Sequence, residues 1–172
     1  IIMKLAILGI ENRHSGCFAS VLAPKNGKKI FEDVELIGVY GDPNEEGFEE
    51  GVKNMKNISD CPIYSDDYNR FLDEADAIMV TARHGAHHFK YAKKYIEKGI
   101  TTWVDKPFTC SLDEIEEMVA LAKNSGCLLC GTSSLEFEQG VLKLSEYAKG
   151  KKGDIVGGHV TAPVSIENAY GG

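Results

Sequence analysis

The chain has 172 residues, 43% of them hydrophobic, 26% charged and 9% aromatic, and a formal charge of −7. That length suits one domain with the opening of a second, and the apolar fraction excludes a disordered chain. No apolar run approaches the ~20 residues a membrane helix needs. The acidic balance argues against nucleic-acid and anionic-membrane surfaces as partners, because both are bound by basic faces.

Ile1-Ile2 stand before Met3 with neither a basic region nor a cleavage site, so the start reads as lacking a secretory leader. The first strand is expected over Leu5–Gly9. A glycine turn follows, Gly9-Ile10-Glu11-Asn12-Arg13-His14-Ser15-Gly16, and then a helix from Cys17 to Leu22. Bare backbone N–H groups at a helix start after a glycine turn are where a dinucleotide's diphosphate rests. A full G-x-G-x-x-G would need glycine at positions 11 and 14, where this chain has Glu11 and His14. One repair has Glu11 pointing away while Asn12 and Arg13 supply donors. The other has the site no longer binding a dinucleotide.

The second strand is expected over Glu35–Tyr40, after a polar loop at Pro24–Asp33. It leads to Asp42, which at a strand end can accept hydrogen bonds from both hydroxyls of an adenosine ribose and repels a 2′-phosphate, favouring NAD over NADP. Asp42 can also be a plain turn residue before Pro43. The acidic run Glu45, Glu46, Glu49 and Glu50 reads as a solvated helix face. Cys61-Pro62-Ile63-Tyr64 is a short third strand whose proline places it at a sheet edge.

A fourth strand over Ala77–Ala82 runs into Arg83 and three nearby histidines, His84, His87 and His88. The i, i+4 pair His84 and His88 has zinc-like spacing, but no third ligand is spaced with it. Capping and cofactor contact are the favoured roles, and no metal is expected. Phe89, Tyr91, Ala92, Tyr95 and Ile96 mark one helical face that Gly99 ends. The fifth strand, Thr101–Asp105, gives Lys106-Pro107. A lysine at the carboxyl end of a central parallel strand lies where open α/β sheets bind ligands. There it can hold a substrate hydroxyl and relay its proton, and a cis Lys106–Pro107 bond suits the turn. Ser111-Leu-Asp-Glu114 is a capping box for a helix with Ile115, Met118, Val119 and Ala122 inward, closed by Gly126.

The sixth strand is expected over Cys127–Thr132, an apolar run read as buried. Its Cys127-x-x-Cys130 spacing invites a redox reading, but lies in a strand rather than at a helix start. Five cysteines, an odd number, read as reduced thiols of a cytoplasmic protein. After Lys149-Gly-Lys-Lys-Gly153, Asp154–Val164 reads as a strand opening a second domain. The expected layout is 1–150 as a dinucleotide-binding domain and 151–172 as the start of another. Alternation of strands and helices predicts a doubly wound parallel sheet of order 3-2-1-4-5-6.

Three stretches together resemble the glucose–fructose oxidoreductase, inositol dehydrogenase and MocA family. Asp105-Lys106-Pro107 is similar to its hallmark Glu-Lys-Pro. Asp76 to Ala82 and on to His87 is similar to its Asp-x-hydrophobic-Ala-Thr-Pro-x-x-x-His segment, with Arg83 in place of proline. Lys143 to Gly153-Asp-Ile155 is similar to its entry into a second domain. The resemblance implies a Rossmann-like fold and an NAD(P)-dependent oxidoreductase acting on a sugar, cyclitol or related polyol. It implies Lys106 as proton relay, with Asp105 in the glutamate's place beside the nicotinamide ribose. The implied cofactor-binding residues are Gly9, Ile10, Asn12, Arg13, Asp42, Ala82, His84, His87 and Asp105. It implies further that much of the substrate site and the usual self-association surface belong to the second domain. The 172-residue chain alone is then expected to be inactive. The competing expectation is a non-catalytic relative, a ligand sensor or partner subunit with weakened or lost cofactor binding.

Overall fold

The computed structural model describes residues 2–149, 151 and 153–159. Six strands form one sheet in the order β3-β2-β1-β4-β5-β6, and every pairing is parallel. They are β1 (Met3–Leu8), β2 (Val34–Tyr40), β3 (Ile63–Tyr64), β4 (Ala77–Val80), β5 (Thr101–Val104) and β6 (Leu129–Cys130). The helices are α1 (Arg13–Leu22), α2 (Phe48–Ile58), α3 (His88–Glu97), α4 (Leu112–Ser125) and α5 (Gln139–Ala148). The strand order reverses at β1, and the crevice between the carboxyl ends of β1 and β4 is the topological switch point.

The continuous hydrophobicity of β1 has a direct cause. Alternate residues of a strand face opposite ways, and both faces are covered. Leu5 and Ile7 pack with Ala19, Leu22 and Met55 of α1 and α2. Ala6 and Leu8 pack with Tyr91, Tyr95, Ile96 and Met118 of α3 and α4. Each such fully buried aliphatic side chain contributes roughly 1.5–3 kcal/mol. The β1–β2 register shifts by one residue between Leu5 and Ala6. Leu36 therefore belongs to the first core, Ile37 to the second, and Val39 to the first again, with Tyr40 on the second side.

Several expectations are corrected. Helix α1 begins at Arg13, four residues before Cys17, because Asn12 caps it by accepting from the His14 N–H at 2.7 Å. Its sequence lacks the apolar signal there because the first turn faces the site rather than a core. On α4, Met118 and Ala122 are buried but Val119 is 39% exposed. Strand β6 is only two residues long and is the sheet's other edge, paired on one side only. Leu128 and Cys130 are accordingly exposed, although Cys127 is buried with its thiol donating to Ile100 O. The Pro62-bearing strand does lie at the β3 edge, and Gly99 and Gly126 do end α3 and α4 in the left-handed conformation, with φ of 77° and 74°. No strand forms over 154–159, where the backbone is irregular, and positions 160–164 of the expected strand lie outside the described residues.

The chain divides into two compact units, Ile1–Gly131 and Thr132–Gly172. The first holds the whole sheet and α1–α4. The second contains α5, a helix that the sequence reading passed over, and no residue of α5 is buried among the described residues. No helix among the described residues is long and apolar enough to cross a membrane.

Candidate functional site at the switch point

Strand β1 is followed directly by Gly9, which has φ +100°. A Cβ there would lie 2.9 Å from the Thr81 carbonyl carbon and closer still to Ala82 N and Cα, so only glycine lets β1 and β4 approach this closely. Thr81 strengthens the approach by donating its hydroxyl to Gly9 O at 2.6 Å. Ile10 is buried, and its carbonyl abuts Gly51 of α2 so tightly that any Cβ at 51 would collide with it. A Cβ at Gly47, with φ +90°, would lie 2.9 Å from Glu11 O. Gly47, the N-cap of α2, and Gly51 within the helix therefore give the turn its close backbone contact. In sequence this segment reads as a solvated acidic face, which gives no sign of either glycine's contact.

The two side chains that replace the missing turn glycines both reach across the crevice. Glu11 is 7% exposed, and its Oε1 accepts the Arg83 N–H at 3.0 Å, just past β4. Its Oε2 is buried with no hydrogen-bond partner among the described residues. His14 Nδ1 pairs with Asp105 Oδ2 at the end of β5. Between them, Asn12 caps α1 and donates its amide to Thr81 O. The turn's side chains thus tie the β1–α1 connection to the ends of β4 and β5. Arg13 is exposed.

Asp105 is a buried carboxylate with a partner on each oxygen: His14 on Oδ2, and on Oδ1 the Lys106 N–H at 2.8 Å. Its own N–H donates to Val80 O, which seats it on the β4 edge. Lys106 is half-buried, and the Lys106–Pro107 bond is cis, as the sequence suggested.

On the β2 side, Asp42 Oδ1 accepts both the N–H and the side-chain amide of Asn44, at 3.0 and 2.9 Å. Chiefly the Asn44 backbone N–H holds its carboxyl below the usual range. Tyr40, just before it, is buried, which together with the Asp42 charge pushes its phenol up to about 12. Burial, then Tyr40 and Glu11, also raise Tyr91, whose hydroxyl has no partner among the described residues.

The three histidines have separate tasks. His84 accepts the Ala86 N–H and starts the 3-10 turn Gly85–His87. His87 Nδ1 lies 3.4 Å from Glu45 Oε1. His88 is fully buried, with Nε2 2.9 Å from Ala82 O and Nδ1 3.3 Å from Phe108 O. Among the described residues no three His, Cys, Asp or Glu side chains converge as a metal site.

The residues present fit a dinucleotide at this crevice. Gly9 has the packing that only glycine allows, and α1 starts at the turn. Glu11 is turned to Arg83 rather than to the α1 N-terminus, and both bonds to Asp42 land on one oxygen, leaving Oδ2 for a ligand hydroxyl.

The fold is that of a Rossmann-like nucleotide-binding domain, and comparison with known proteins places it in an NAD-binding oxidoreductase class. The profile described as "Oxidoreductase family, NAD-binding Rossmann fold" (Gfo/Idh/MocA) matches residues 4–132, and the chain belongs to this family. The "Uncharacterized oxidoreductase YhhX" of Escherichia coli (strain K12) is 32% identical over 111 residues, which are 60% of this chain and 32% of that protein. Two of the solved structures that share the fold illustrate the likeness. One is UDP-N-acetylglucosamine 3-dehydrogenase GnnA of Acidithiobacillus ferrooxidans, with a TM-score of 0.64, 19% identity, and 87% of this chain and 44% of that one covered. The other is GenD2 from gentamicin A biosynthesis in complex with NAD, with a TM-score of 0.67, 19% identity, and 88% and 40% covered. The chain therefore spans under half the length of these relatives.

Proposed function

We propose that this chain is the nucleotide-binding part of an oxidoreductase that moves a hydride between nicotinamide and a sugar, cyclitol or related polyol. The observation that carries the reading is Lys106, half-buried at the carboxyl end of β5, beside the buried Asp105 and one strand from the switch point. The nicotinamide, when bound, accepts or returns the hydride.

The chain's own residues do the rest. Gly9, Ile10, Asn12 and Arg13 form the turn against which the diphosphate lies. Asp42 accepts the adenosine-ribose hydroxyls through its second oxygen, and its charge repels a 2′-phosphate, so NAD is preferred to NADP. Ala82, His84 and His87 line the β4 side. Lys106 positions the substrate hydroxyl and takes or returns its proton, and Asp105 fixes the main chain at that lysine. The lengths of the relatives support reading 151–172 as the entry to a second domain that bears much of the substrate site. GnnA, a UDP-N-acetylglucosamine 3-dehydrogenase of the same fold, supports the polyol class.

A second reading, a ligand sensor or partner subunit, is favoured by one observation, the buried Glu11 carboxylate with an oxygen left over. Titration of the chain with NADH and NADPH by nicotinamide fluorescence separates the two. The enzymatic reading expects saturable NADH binding that is tighter than NADPH binding and weakened about tenfold by Asp42→Ala, the loss of one charged acceptor. No binding of either, with binding appearing in Glu11→Gly, supports the sensor instead.

A further inference from the structure

We propose that His14 is a positioning residue for the Asp105–Lys106 end of β5: the imidazole stands at a position where the dinucleotide pattern has glycine, and there it holds the reaction-side carboxylate. The inference rests on the proposed function, in which Lys106 acts on the substrate, and it deepens that reading by adding a residue from the opposite end of the sequence.

Three observations point the same way. First, the pairing is long-range. His14 lies in the first turn of α1 and Asp105 follows β5, 91 positions later in the chain, so the contact joins the cofactor turn to the lysine-bearing strand end. Second, the burial is asymmetric. The Asp105 side chain is 5% exposed and the His14 side chain 40%. A carboxylate so buried is stable only if its oxygens find donors, and His14 is the side chain that supplies one from outside β5. Third, the other oxygen is committed to the Lys106 N–H at 2.8 Å. The chain of contacts therefore runs His14 Nδ1, Asp105 Oδ2, Asp105 Oδ1 and Lys106 N, and displacement of the carboxylate moves the main chain from which the lysine side chain springs. A carboxylate only accepts, so Nδ1 is the ring nitrogen that carries the proton.

The neighbouring replacement behaves alike. Glu11, at the other missing glycine, is spent on Arg83 N at the end of β4. The side chains at 11 and 14 thus both reach across the crevice. They brace the two strand ends that frame the site. Aspartate in place of the longer hallmark glutamate then reads as a matched pair with His14: the shorter acid meets a ring projecting from α1.

The test uses the chain itself and needs no substrate. A histidine N–H held by a carboxylate gives a slowly exchanging, far-downfield proton resonance. It is expected in the wild-type protein and absent from both His14→Ala and Asp105→Asn. Lys106 is then followed by trace acetylation with acetic anhydride and mass spectrometry. His14→Ala is expected to acetylate Lys106 at least threefold faster than wild type. His14→Asn, which keeps a donor where Nδ1 stood, is expected to restore the wild-type rate to within a factor of 1.5. If His14→Ala fails to fold, His14→Gln takes its place, with Lys98 as the internal standard. A downfield proton that survives in Asp105→Asn, or a Lys106 rate unchanged in the alanine or glutamine variant, overturns the proposal. Failure of NADH to bind overturns the proposed function instead and leaves both of these readouts intact.

Discussion

The two sides of the crevice hold their carboxylates by opposite means. On the β2 side, Asp42 takes its partners from Asn44, two residues away, in a turn that closes on itself. On the β5 side, Asp105 keeps one oxygen for the adjacent Lys106 N–H but gives the other to His14, 91 positions distant, and Glu11 likewise serves Arg83, 72 positions away. A locally held acid survives whatever the sheet does, whereas a remotely held one exists only once β1, β4 and β5 are in register. The first is a property of a segment, and the second a property of the fold.

The largest break in this comparison comes from Gly9, where both sides meet. Gly9→Ala combines a left-handed φ with a collision against the Thr81–Ala82 backbone, and is expected to cost about 3 kcal/mol or more in urea unfolding, through a clash that no side-chain rotation relieves. A loss under 1 kcal/mol would show that β1 and β4 separate easily. Alkaline pH probes the layer beneath Asp42. Tyr40 ionises at about 12 when folded and at its ordinary 10 when unfolded. The stability it contributes is therefore complete below pH 10 and is lost as pH rises to 12, by about 2 kcal/mol, with Tyr91 and Tyr95, also raised by burial, adding to the loss. Chemical denaturation at stepped pH measures this, and a flat profile from 9 to 12 contradicts it.

On the remote side, Glu11→Ala leaves the Arg83 N–H unpaired and is expected to cost roughly 1–2 kcal/mol, whereas Glu11→Gln keeps the acceptor and costs less than half as much. Equal losses for the two would show that the carboxylate's charge, not its hydrogen bond, matters. The smallest effect belongs to the local side. Asn44→Ala should cost about 0.5 kcal/mol near neutrality, as a turn contact does. The variant keeps the Asn44 backbone N–H that chiefly lowers the Asp42 carboxyl and loses only the side-chain amide bond, whose contribution is present above the ordinary carboxyl range and fades as pH falls below it. Wild type and variant should therefore converge in acid, and a constant gap down to pH 2 would refute the local account.

The same division explains what could be read from sequence. The parallel sheet and its order were legible because β1, β2, β4 and β5 are apolar on both faces and Pro62 marked an edge. The ends of α3 and α4 were legible because Gly99, Ser111 and Gly126 act within a turn of themselves. Lys106-Pro107 was legible because strand order alone puts it at the rim. The start of α1 was not, since its first turn turns toward the site and carries no apolar period. Gly47 and Gly51 were not, because the backbone they make room for belongs to a different element. Nor was the task of His14, since no spacing rule links positions 14 and 105. Helix α5 shows the reverse difficulty: its Val141, Leu142, Leu144 and Tyr147 are all exposed, so apolar content there was no measure of core.

The irregularity in β2 has a consequence for how this chain tolerates change in length. The stretch at 24–33 lies outside every helix and strand, and residues gained or lost there leave both walls of the sheet as they were. Within β2, one residue decides which wall the strand's last side chains join. Removing Ile37, the unpaired residue at the irregularity, would leave Leu36, Gly38, Val39 and Tyr40 in plain alternation on the walls they already occupy, whereas losing a residue elsewhere in the strand would exchange Val39 and Tyr40 between walls and set a phenol among the aliphatics of α1 and α2. A change in length is therefore expected to be absorbed in the connection or at the irregularity, and nowhere else along the strand.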